Sequence, residues 1–242
     1  MDIPFERWES VLSGVDWYKT VIPDLQLLMK QGLENSREEK DAIMAFFEER
    51  FIAGSIGLGK NGKNWDAERQ PIDTIIIHHT HNPPGMTFEK LSVEELLRLY
   101  APYYLNPYDE RDKNEQGKSI YSGHFRNGKQ VFWPYHWIIR ANGDAEQLLL
   151  DNEIGWHAGK WEVNCRSIAI VFDNNYENQR PSDIELKSVA ELIQKQYPQV
   201  KRGNIFGHRE VNPKTTCPSN LFLDADGKRG WKEDLLNMIF HG

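Results

Sequence analysis

The 242-residue chain carries 29 lysines and arginines against 36 aspartates and glutamates, a net charge of -7, with 39% hydrophobic and 27% charged residues. That length supports one large domain with a full core, and that composition excludes a disordered, a collagen-like and a membrane-embedded chain. The acidic balance and the lack of any dense Lys/Arg run exclude nucleic acid as a partner, and no apolar run approaches the roughly 18 residues that membrane insertion needs.

The opening Met1-Asp-Ile-Pro-Phe-Glu-Arg-Trp8 has acids where a signal peptide has bases, and no apolar core. A cytoplasmic location is expected for the chain as written, with action after release or dedicated export as the alternative. Two cysteines, Cys165 and Cys217, make no disulfide framework; each is a buried thiol or a ligand.

In chain order, Leu25, Leu28 and Met29, then Ile43, Met44, Phe46 and Phe47, fall at helical spacing and predict two helices with a break over residues 32–36. Residues 54–64, with Gly57, Gly59 and Gly62, read as a flexible connector. They lack the Gly-Lys-Ser/Thr ending of a phosphate loop. Asp73-Thr-Ile-Ile-Ile-His78 is a β-branched apolar run expected of a buried strand.

Ser92-Val-Glu-Glu95 has capping-box spacing and predicts a helix through Leu96, Leu97, Leu99 and Tyr100 that Pro102 ends. Residues 106–118 read as a surface loop. Asn142-Gly143, between Tyr135-His-Trp-Ile-Ile-Arg140 and Asp144-Ala-Glu-Gln-Leu148, predicts a two-residue hairpin. Ser167-Ile-Ala-Ile-Val-Phe172 is a second buried strand. Ser182-Asp-Ile-Glu185 opens a helix lined by Leu186, Val189, Ala190, Ile193 and Tyr197, and Trp231, Leu235, Met238 and Ile239 mark a C-terminal one. Strands interspersed with helices predict an α/β fold, a mixed central β-sheet flanked by helices, with an N-terminal helical extension.

His78-His-Thr80 stands at the end of a buried strand, where side chains reach a sheet edge. His208 lies in Gly207-His-Arg-Glu-Val211 and Cys217 in Lys214-Thr-Thr-Cys-Pro218. Two imidazoles and a thiolate match the three protein ligands of a catalytic zinc with an open fourth position. Taken singly, each residue reads as a satisfied core histidine or an inert buried thiol.

Together with Ile75-Ile-Ile-His-His-Thr80, Tyr135-His-Trp-Ile-Ile-Arg-Ala-Asn-Gly143, Trp156-His-Ala-Gly159, Ser167-Ile-Ala-Ile-Val-Phe172 and Thr215-Thr-Cys-Pro218, these motifs occur in an order that resembles the zinc-dependent N-acetylmuramoyl-L-alanine amidases. That family includes the phage-type amidase lysozymes and the animal peptidoglycan recognition proteins. The resemblance spans residues 72–239. It implies an amidase-like domain at 65–242, with an insertion over about 86–132, and leaves the helical segment and connector at 1–64 outside it.

By the resemblance, His78, His208 and Cys217 are the zinc ligands and Tyr135 is the catalytic tyrosine. The oxyanion donor matches Thr215, with Lys214 beside it as the alternative. His157 borders the substrate groove and is a candidate substrate contact, with a structural hydrogen bond as the alternative. His79 is a weaker one, since alternation along the strand turns it to the other face, where a supporting role fits better. The recycling branch of the family has a glutamate at the position of Val171, so the tyrosine-type site is the one implied here. The resemblance implies hydrolysis of the amide between N-acetylmuramic acid and L-alanine of peptidoglycan or its muropeptide fragments. A peptidoglycan-binding module without catalysis, and a zinc amidase acting on another acyl-amino-acid amide, are the alternatives.

Overall fold

The computed structural model describes residues 2–223 and 230–241. The chain divides into two compact units, Met1–Asn64 with Thr87–Phe132, and Trp65–Met86 with Trp133–Gly242. The stretch read as an insertion therefore shares a unit with the N-terminal helices.

In chain order the elements are α1 (Phe5–Val11), α2 (Tyr18–Lys30), α3 (Arg37–Ala53), β1 (Thr74–His79), α4 (Phe88–Glu95), α5 (Ala101–Leu105), β2 (Phe125–Arg126) and β3 (Lys129–Gln130). Next come β4 (Trp137–Ile139), β5 (Ala145–Gln147), α6 (Trp161–Asn164), β6 (Ser167–Phe172), α7 (Asp183–Gln196), β7 (Ile205–Gly207), α8 (His208–Val211) and α9 (Trp231–His241). No helix among the described residues is long and apolar enough to cross a membrane.

In the first unit, Trp8, Trp17 and Phe47 form an aromatic core, with Trp8 and Phe47 ring centroids 5.5 Å apart. The glycine-rich stretch is held rather than flexible. Gly57 N–H donates to Leu12 O, Gly59 N–H to Ile120 O, and Trp17 Nε1–H to Gly57 O. A Cβ on Gly57 would stand 2.4 Å from Gly14 O, so the close approach requires glycine.

The predicted end at Pro102 is also corrected. α4 starts after Thr87, whose Oγ1 accepts from Lys90 N–H, and passes through a π-helical turn over Leu96–Tyr100 into α5. That turn places Pro102 in the first turn of α5, where its missing N–H costs no bond. Ser92 is inside α4, its Oγ accepting from Phe132 N–H, and so caps nothing. The loop expected over 106–118 contains a 3₁₀ helix, Glu110–Glu115, capped by Asp109.

The second unit is a five-stranded mixed sheet of order β5-β4-β6-β1-β7. β1 runs parallel to β6 and β7, β4 parallel to β6, and β5 antiparallel to β4. Both faces are covered. Ile75, Ile77, Ile168, Ile170 and Phe172 pack against Leu186, Val189 and Ile193 of α7 and Trp231, Leu235 and Ile239 of α9. Ile76 faces the other way, toward Ala158, Val163 of α6 and Val211 after His208 in α8. Burial on two faces explains why β1 and β6 read as continuous apolar runs rather than alternating ones.

The expected hairpin joins β4 to β5, but not through a two-residue turn. Only Gly143 of its Asn-Gly pair has a positive φ, +90°, and Arg140 N–H donates to Asp144 O. This is a three-residue loop closed by a left-handed glycine. The capping box at the start of α7 forms as expected, with Ser182 Oγ accepting from Glu185 N–H while the Glu185 carboxylate accepts from Ser182 N–H.

Candidate metal and catalytic site

The site is built at the carboxyl ends of the parallel strands. In register, Ile77 of β1 stands opposite Gly207 of β7, so the next residues, His78 near the end of β1 and His208 at the start of α8, stand side by side. Their ring centroids are 4.7 Å apart. Only glycine fits at 207, because a Cβ there would meet Phe222 at 2.6 Å and Pro218 at 2.7 Å, in the loop that returns Cys217 to the strand ends.

That loop is tied by its backbone. Arg209 N–H donates to Cys217 O at 2.7 Å, Arg209 Nη1–H to Ser219 O at 2.9 Å, and Cys217 N–H to Thr215 Oγ1 at 3.1 Å. Cys217 Sγ comes within 3.7 Å of His78 Nδ1. One donor atom from each of His78, His208 and Cys217 lies within 4.8 Å of the others, and Cys217 is a buried cysteine outside any disulfide. Two imidazole nitrogens and one ionisable sulfur converging in this way fit zinc, a borderline-soft ion that takes N and S ligands and leaves a fourth position open.

The far nitrogen of His78 is also engaged. His78 Nε2 lies 3.0 Å from His157 Nδ1, and His157 Nε2 lies 3.0 Å from Ser167 Oγ. Burial first, then the neighbouring His136, His208 and Arg69, hold His157 well below the ordinary histidine range, so its ring is neutral. Tyr135 is buried, 8% exposed, its ring centroid 5.0 Å from that of His78. Val171, the register partner of His78 on β6, is fully buried and brings no carboxylate to this face.

Thr215 is half-buried and Lys214 exposed; Lys214 N–H donates to Asn212 Oδ1. His79 points away from the cluster of His78, His208 and Cys217, as strand alternation expects. Its Nδ1 accepts from Tyr176 N–H at 2.8 Å, its ring lies over that of His81 at 3.8 Å, and Glu177 is 4.0 Å away. Burial, with His81 and His208 adding to it, pushes its pKa down to about 3. The geometry thus joins His78, His208, Cys217, Tyr135 and His157, sets Thr215 on the loop beside them, and puts His79 on the opposite face.

Sequence reasoning misses Ser167 and Asn164. Ser167 is the one polar residue in the otherwise apolar run of β6, and that interruption is the available signal. Asn164 Oδ1 accepts from the N–H groups of His157 and Ala158, at 3.3 and 2.8 Å, a role no local pattern announces. Asp173 accepts from Gly85 N–H, Met86 N–H and Arg140 Nη1–H, clasping the loop after β1 rather than entering the site.

The family model described as N-acetylmuramoyl-L-alanine amidase matches residues 68–220. The 1,6-anhydro-N-acetylmuramyl-L-alanine amidase AmpD of Haemophilus influenzae is 30% identical over 163 residues, covering 64% of this chain and 79% of that protein. Among solved structures, the N-acetylmuramoyl-L-alanine amidase LysC from Clostridium intestinale is 19% identical with a TM-score of 0.47, over 72% of this chain and 87% of its own. The Drosophila peptidoglycan recognition protein SD is 20% identical with a TM-score of 0.39, over 66% and 83%.

Proposed function

This chain belongs to the N-acetylmuramoyl-L-alanine amidase family and is an amidase of that class, and we propose that its reaction runs on a zinc ion held by His78, His208 and Cys217. The observation that carries the reading is the convergence of those three donors, within 4.8 Å of one another, at the strand ends beside Tyr135. Bound there, zinc supplies Lewis acidity that acidifies water and polarises the scissile carbonyl.

The remaining chemistry falls to the chain. Water adds to the carbonyl carbon of the lactyl group, the carbon–nitrogen bond breaks, and the amine of L-alanine leaves with the proton that water gives up. Val171 offers no carboxylate base, so Tyr135 is the proton-bearing side chain facing the reaction, placed to orient the water and donate to the developing oxyanion. Thr215 is the second oxyanion donor. Its Oγ1 accepts from Cys217 N–H, which fixes the oxygen and leaves the hydroxyl proton to give. Lys214 is exposed and, among the described residues, is held only through its backbone N–H.

The substrate is peptidoglycan or its muropeptide fragments. The likeness to an anhydromuramyl amidase supports testing soluble fragments beside intact wall. Zinc-loaded protein is incubated with purified sacculi and with 1,6-anhydromuropeptide, and the products are read by mass spectrometry. Stem peptide with a free L-alanine amino terminus is expected from at least one, and none from Cys217→Ala. Binding to sacculi with no bond cut in either substrate would sink the catalytic reading in favour of a binding module.

A further inference from the structure

Three buried groups stand in line behind the metal position, and hydrolysis at the zinc uses only the first. They are His78, His157 and Ser167, at 1%, 6% and 0% exposure. We propose that His157 is a positioning residue that holds His78 in the tautomer presenting a bare Nδ1 to the metal. The inference rests on the reading of His78, His208 and Cys217 as the zinc set.

Two ring nitrogens 3.0 Å apart must be one donor and one acceptor, and a serine hydroxyl takes either part. Two arrangements therefore satisfy the line. In the first, Ser167 O–H donates to His157 Nε2, His157 Nδ1–H donates to His78 Nε2, and His78 carries its proton on Nδ1, facing Cys217 Sγ. In the second every bond is reversed: His78 Nε2–H donates to His157 Nδ1 and His157 Nε2–H donates to Ser167 Oγ. The two hold the same number of protons and differ in which nitrogen of each ring bears one. Only the second leaves a lone pair on His78 Nδ1, the atom 3.7 Å from Cys217 Sγ.

A histidine ligand whose far N–H has a fixed acceptor is oriented and made more basic, and losing that acceptor typically weakens metal binding. In the second arrangement His157 Nδ1 is such an acceptor, and Asn164 Oδ1 pins the His157 backbone in place. Both of its ring nitrogens are taken by protein groups, His78 and Ser167. That leaves none for a substrate and separates this role from a groove contact.

Zinc affinity is measured by competition with a chromophoric chelator for the wild-type protein, His157→Phe, His157→Asn and Ser167→Ala, together with ¹⁵N NMR of the imidazoles in zinc-loaded wild type. His157→Phe is expected to bind zinc about 10- to 100-fold more weakly. Asparagine, whose Oδ1 falls near the place of Nδ1, should restore part of the loss, and His78 should show its proton on Nε2. Unchanged zinc affinity in a folded His157→Phe, with only KM raised, would overturn the proposal and return His157 to the substrate. If that variant does not fold, the NMR decides: a His78 proton on Nδ1 in the zinc-loaded wild type overturns it as well. Failure of the wild-type protein to bind zinc would instead remove the metal reading itself.

Discussion

At the scale of single residues, the decisive matter is which atoms remain available once the protein's own hydrogen bonds are assigned. The Tyr135 ring lies 5.0 Å from that of His78, and Thr215 keeps a hydroxyl proton because its oxygen is the acceptor in the bond from Cys217 N–H. Removing one oxyanion donor elsewhere costs about 10²- to 10³-fold in kcat. Thr215→Val is therefore expected to lower kcat by about that factor with zinc content unchanged, whereas Lys214→Ala stays within about twofold of wild type. Steady-state rates on a muropeptide, with metal analysis on the same samples, check both. A large loss in Lys214→Ala with full activity in Thr215→Val would reverse the assignment. The sequence marks His78, His208 and Cys217 as candidates through their motifs, but nothing local in Trp156-His-Ala-Gly159 tells that both nitrogens of His157 are spent on His78 and Ser167.

At the scale of elements, legibility tracks the range of the interactions. The Ser182–Glu185 box is readable because both partners lie within one turn, and the same carboxylate also accepts from Tyr176 O–H at 2.6 Å. Ser182→Ala should cost about 1 kcal/mol in urea unfolding, as cap removal does, and leave kcat unchanged; a stability equal to wild type would show the cap contributes nothing here. Ser92 has the same spacing yet caps nothing, because Thr87, five residues earlier, takes the role and Ser92 Oγ is engaged by Phe132 N–H. Asn142-Gly143 signals a hairpin and leads to one, though with a longer loop. Asn127-Gly128 carries the true two-residue turn, with φ of +50° and +76° between the paired Arg126 and Lys129, and is hard to read because its strands are only two residues long.

For the whole molecule, the grouping of residues 87–132 with 1–64 matters most. α3 packs against α4 and α2 against α5, so Leu91, Tyr100 and Tyr104 owe their burial to a unit assembled from two separate stretches of chain. Deleting residues 1–64 should bare that apolar surface and open 87–132 to protease, observable as rapid limited proteolysis and increased binding of a hydrophobic dye. A deletion protein in which 87–132 resists protease as in the full chain would contradict this dependence. The family match, residues 68–220, runs across the segment without marking that it belongs elsewhere.

Taken alone, the sequence determined what depends on neighbours along the chain: the buried strands at 74–79 and 167–172, the cap of α7, and the donor types of the metal set. Hydrophobic period, capping distance and side-chain chemistry are all written within a few residues. Tertiary structure alone decided that residues 54–64 are tethered, that Asp173 is a clasp, and that His157 lies between His78 and Ser167. Those facts join groups as far apart as Gly85 and Asp173, 88 residues along the chain, and such contacts exist only when the packing of the sheet sets the register that brings them together.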